Sequence, residues 1–78
     1  MTQLLKYLLE RKIPHQTYET NNELIVELKI NNVRCIFKQS KDYPSNTWTR
    51  VGGYEAKNQS QRYMTRLIGK LLREEEIN

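Results

Sequence analysis

Eight residues flanked by two Asn-Asn pairs constrain this chain most. Between Asn21-Asn22 and Asn31-Asn32, Leu24, Val26, Leu28 and Ile30 alternate with Glu23, Ile25, Glu27 and Lys29. A period of two places the first set on one face of an extended strand and leaves no helical stripe. Asn tolerates positive φ, so each Asn-Asn pair suits a two-residue hairpin turn. Residues 33–38 continue the alternation with Val33, Cys35 and Phe37. A turn at Asn31-Asn32 then pairs Ile30 with Val33, Leu28 with Cys35 and Val26 with Phe37, all on one face. Glu27, Lys29, Arg34, Ile36 and Lys38 fall on the other. Upstream, residues 16–20 read as a shorter strand. A two-residue turn after it leaves Tyr18 on the solvent face, and one more loop residue turns it inward.

Helical periods flank this block. Leu4, Leu5, Leu8 and Leu9 make one apolar face after Thr2, a candidate N-cap, and Pro14 closes the segment. At the other end Met64, Leu67, Ile68, Leu71 and Leu72 make a second stripe, predicting a helix over residues 55–73. Residues 39–53 read as a loop in which Thr47–Val51 is a candidate short strand. The expected architecture is therefore α+β: an α-β-β-β-α order with a three-stranded antiparallel sheet and both helices on one face. It forms one domain over residues 1–78, with a core of about 3–73. Glu74, Glu75 and Glu76 sit at the unfavourable end of the helix dipole, so the tail 74–78 is expected to fray.

At 78 residues, such a chain buries only about 60% of the surface it exposes when unfolded. A single cysteine, Cys35, excludes an internal disulfide and points to a reducing, cytoplasmic setting. One His and one Cys cannot furnish a structural zinc site, so neither a metal nor a cofactor is expected. No apolar run approaches the roughly 20 residues of a membrane span, and no membrane partner is expected. The net charge of +4 conceals an asymmetry. Residues 29–73 carry ten Lys and Arg against Asp42 and Glu55, a net of +8, which offers a side to a polyanion.

Two features carry chemistry. On about 100° per residue, Arg62, Arg66, Lys70 and Arg73 share an arc opposite the second apolar stripe, with Lys57 nearer the helix start. A row of this kind neutralises phosphates. Gly69 interrupts the face at a cost of roughly 1 kcal/mol relative to Ala, which a close approach by a partner backbone would explain. The second feature is the loop with Tyr43, Trp48 and Tyr54 among Lys41 and Arg50, where aromatics and cations can stack on bases or anchor a protein interface. Glu27-Leu28-Lys29 matches the Glu-x-Lys part of a metal-dependent nuclease core but lacks an upstream Asp, so the chain is not expected to be an enzyme. Cys35 lies on the apolar face as an inert hydrophobe.

From Leu4 to Leu72 the pattern resembles the double-stranded RNA-binding domain. Leu4-Leu5-Lys6-Tyr7 looks like that family's opening helix, Tyr18-Glu19 like the start of its first strand, and Leu24 to Ile36 like its central hairpin. Gly53-Tyr54-Glu55-Ala56-Lys57 aligns with its Lys-Lys-x-Ala-Lys helix start. The resemblance implies minor-groove contacts from Lys6 and Glu10 and a phosphate clamp at Lys57. Gly53 and Tyr54 stand where two further clamp lysines belong, and the hairpin loop lacks Gly-Pro-x-His. The expected function is non-catalytic binding of structured or double-stranded RNA, ahead of DNA. It would act through Lys6, Glu10, Arg50, Lys57, Arg62, Arg66 and Lys70. The alternative is a small inhibitor or adaptor that docks a protein through the basic helix, the Trp48 loop or the exposed sheet face. Monomer and homodimer both stay open.

Overall fold

The computed structural model describes residues 1–75. Its element order is α1 (Thr2–Glu10), β1 (His15–Glu19), β2 (Glu23–Ile30), β3 (Val33–Ser40), β4 (Thr47–Val51), β5 (Tyr54–Lys57) and α2 (Gln61–Leu72). The five strands form one antiparallel sheet in sequence order. The three-stranded sheet expected from the sequence is thus corrected to five strands, and the order departs from α-β-β-β-α. The supposed loop 39–53 supplies the end of β3 and all of β4, and Gly52-Gly53 turns directly into β5 with Val51 opposite Tyr54. Gly52 has φ +60°, a left-handed conformation that glycine adopts without penalty. The second helix begins at Gln61 rather than at residue 55. Ser60 is its N-cap, its hydroxyl accepting from the Tyr63 N–H at 3.1 Å.

The central hairpin follows its turn chemistry. Asn31 and Asn32 both have positive φ (51° and 66°), and the register pairs Ile30 with Val33, Leu28 with Cys35 and Val26 with Phe37. In the first hairpin the Thr20 N–H donates to the Glu23 carbonyl at 2.9 Å. This is the register of the two-residue turn, and it puts Tyr18 opposite Ile25 on the outer face. The inner face carries Val26, Leu28, Cys35, Phe37, Thr49 and Val51, against which Leu4 and Leu8 of α1 and Met64, Leu67, Ile68 and Leu71 of α2 are buried. Both helices therefore cover one face of the sheet, and the other face is bare.

Met1, rather than Thr2, stands at the N-cap of α1. Both helices end in the same way. Lys12 (φ 55°) follows α1, with Lys12 N–H to Leu9 and Ile13 N–H to Leu8; Glu74 (φ 57°) follows α2, with Glu74 N–H to Leu71 and Glu75 N–H to Lys70. This double bond around a left-handed residue is the Schellman motif. Glu74 and Glu75 are held in it, while the rest of the tail expected to fray, residues 76–78, lies outside the described residues. No helix among the described residues is long and apolar enough to cross a membrane.

Candidate functional site

The first and last helices lie side by side and run in the same direction. The Leu4 N–H donates to Gln61 Oε1 at 3.0 Å near their starts, and further along Tyr7 of α1 meets Gly69 of α2, its hydroxyl 3.6 Å from where a Cβ would stand there. Each helix turns most of its apolar stripe to the sheet, but Leu9 and Leu72, expected in those stripes, lie at their edges and stay exposed; the polar sides face solvent. Two adjoining crevices run along the seam and share Tyr7 and Thr65. The first, about 390 Å³, holds Lys6, Glu10 and Arg62 with Gln3 and Gln61. The second, about 350 Å³, holds Arg11, Arg66, Gly69, Lys70 and Arg73.

Arg62, Arg66 and Lys70 follow one another at four-residue steps, about 6 Å each along the axis. Among the described residues Lys6, Arg11, Arg62, Arg66 and Lys70 form no ion pair; Arg73 binds Glu75 through its Nε. The Arg11 guanidinium lies 3.8 Å from the centre of the Tyr7 ring, a stack that fixes its plane while leaving its N–H edge free. Behind α2 the Tyr63 and Tyr54 hydroxyls are hydrogen-bonded to each other. Burial first, then that bond and the nearby Tyr54 charge, push Tyr63 up to about 12 against the opposing pull of Arg66. Their bond ties the first turn of α2 to β5.

The opposite side of the molecule is the bare face of the sheet. Strand register aligns Tyr18, Ile25, Lys38, Trp48 and Lys57 in one row across all five strands, and Gln16, Glu27, Ile36, Arg50 and Glu55 in the next. Lys38 Nζ sits 5.1 Å from the centre of the Trp48 ring. Ion pairs link Arg34 with Glu27 at 3.2 Å and Arg50 with Glu55 at 3.8 Å. Arg50 also donates from Nε to the Gly52 carbonyl.

The residues singled out from the sequence therefore divide between two faces. Lys6, Glu10, Arg62, Arg66 and Lys70 come together on the helical side. Arg50, Lys57 and Trp48 lie on the sheet side. Lys57 belongs to β5 and not to a helix start. Trp48 sits on β4, the candidate strand within the supposed loop, and the three aromatics are not one cluster. Tyr43 is exposed in the β3–β4 connection, Trp48 points outward, and Tyr54 packs inward against the core. Arg11 and Tyr7 join the site only because two helices far apart in sequence pack in parallel. The one sequence signal was their four-residue spacing, which allows a stacked pair.

Glu27 of the Glu-x-Lys pair is engaged by Arg34. Among the described residues no three His, Cys, Asp or Glu side chains gather into a metal-binding group. Cys35 is fully buried, and burial pushes its thiol up to about 11. No family model matches the chain, and neither a curated protein nor a solved structure matches it.

Proposed function

We propose that this chain binds nucleic acid without catalysis, laying the α1–α2 seam on a duplex, with RNA ahead of DNA. The observation that carries the proposal is a continuous row of cations, Lys6, Arg62, Arg66 and Lys70, without carboxylate partners among the described residues, along two joined crevices. Phosphates of one strand of B-form DNA advance about 3.4 Å each along the duplex axis. The 12 Å or so from Arg62 to Lys70, at about 1.5 Å per residue, spans roughly three of them. Glu10 supports the choice of RNA. A carboxylate amid cations is repelled by phosphate but accepts a hydrogen bond from a 2′-hydroxyl, which DNA lacks. The resemblance noted in the sequence would give Lys6 and Glu10 the same role.

Fluorescence anisotropy of a 20-base-pair RNA duplex, with duplex DNA as competitor and two salt concentrations, tests this. Arg62→Ala and Arg66→Ala should each lower the salt slope by about one. Glu10→Ala should erase the RNA preference while tightening DNA binding. Failure of the wild-type chain to bind either duplex at low salt would overturn the proposal.

A second reading, docking of a protein on the bare sheet face, is favoured by Trp48 standing between Lys38 and Lys57 in one row. Trp48→Ala would remove such a contact, at a cost of about 2 kcal/mol or more, and leave the salt slope for duplex unchanged.

A further inference from the structure

We infer that the crevice between the C-terminal halves of α1 and α2 is a phosphate cradle, formed by Arg11, Arg66, Lys70 and Arg73 around Gly69 and the Tyr7 hydroxyl. Its ligand is a phosphate group of a nucleic acid, supplied by the backbone or by a strand end. The inference rests on the nucleic-acid proposal above and assigns the strongest contact within it.

Four cations line a single concavity, three of them guanidinium groups, which grip phosphate oxygens with paired N–H donors. Gly69 makes room for one of them, Arg73. The glycine is buried, and a Cβ built there would lie 3.3 Å from an Arg73 guanidinium nitrogen and 3.6 Å from the Tyr7 hydroxyl oxygen. The missing side chain lets the Arg73 guanidinium fold back along its own helix towards Tyr7. That accounts for a residue that otherwise weakens the helix. Stacking on Tyr7 holds Arg11 in place from the other wall. The rim already receives an anion. The Schellman motif after α2 fixes the Glu75 backbone, and its carboxylate accepts a hydrogen bond from Arg73. Arg73 and Lys70 hold the Glu75 carboxyl below its usual range, so an arriving phosphate competes with this internal carboxylate for Arg73.

Gly69→Ala provides the test because it changes no charge. Inorganic phosphate is titrated while amide resonances are followed by NMR, and the RNA duplex is titrated by anisotropy in 5′-phosphorylated and 5′-hydroxyl forms. In the wild-type chain phosphate should shift the Gly69 and Arg73 amides saturably. Gly69→Ala should melt at a higher temperature, since Ala favours helix, yet bind phosphate about fivefold more weakly as Arg73 is displaced. Glu75→Gln should bind phosphate about threefold more tightly by removing the competitor. Tighter binding of the 5′-phosphorylated duplex would assign the cradle to a strand end, and equal binding would assign it to the backbone. Equal affinity of wild-type and Gly69→Ala chains for phosphate and duplex would overturn the cradle while leaving duplex binding intact. A wild-type chain that binds no duplex would overturn the functional proposal itself.

Discussion

One buried hydroxyl on the inner sheet face goes unsatisfied among the described residues. It belongs to Thr49, which has no exposed surface. An unsatisfied buried hydroxyl costs about 1–3 kcal/mol. Thr49→Val should therefore stabilise the fold by about 1 kcal/mol, read as a higher urea midpoint; a lower midpoint would show that the hydroxyl contributes to the fold. Cys35, buried on the same face, couples stability to pH. Its thiol rises from 9.0 to about 11 because burial disfavours the thiolate. The unfolded chain releases this proton at lower pH than the folded chain, so the contribution is whole below pH 9 and is lost as pH rises towards 11. Urea midpoints compared at pH 8 and pH 10.5 should fall more steeply for the wild-type chain than for Cys35→Ala; identical slopes would contradict this.

At the scale of elements, local chemistry sets where each one stops. The Schellman caps put Lys12 and Glu74 in left-handed backbone that β-carbon-bearing residues resist by about 1–2 kcal/mol. Lys12→Gly should stabilise the fold by up to about 1 kcal/mol, because its exposed side chain offers little in return; a loss of stability would show that the Lys12 side chain matters. The same local chemistry decides what the sequence reveals. The central hairpin is legible because Asn31-Asn32 fixes a turn that brings Val26, Leu28, Cys35 and Phe37 to one face. Strand β4 was legible only as a candidate, Thr47–Val51, because its polarity is reversed: Thr47 and Thr49 face inward while Trp48 faces outward. Strand β5 has only four residues, and Glu55-Ala56-Lys57 has helix-forming composition. Periodicity therefore assigned it to the helix that follows, although Gly52-Gly53 is a hairpin signal and Ser60 a cap signal. Arg62, Arg66 and Lys70 were visible as one helical row. The convergence of Arg11 with Arg73 was not, because it arises from packing between helices some sixty positions apart.

Across the whole molecule, the sheet separates two surfaces of different character. Cations without ion-pair partners among the described residues gather on the helices, whereas those on the sheet are partly matched by Glu27 and Glu55. Two parallel helices also bring their C-terminal dipoles together, each worth about half a negative charge, at the end where Arg11, Lys70 and Arg73 collect. That field offsets part of the repulsion among the cations and lets the cluster persist without ligand.

The strands pair only with their neighbours in sequence, so the sheet can assemble by short-range steps. The α1–α2 seam is different. It joins Leu4 to Gln61 across 57 positions, and closing it costs chain entropy that no hairpin repays. The proposed binding surface exists only once that closure is made. A polyanion seated across both helices would act as a clasp. Because it binds the closed form and not the open one, it would protect α1 from detachment in proportion to its own concentration.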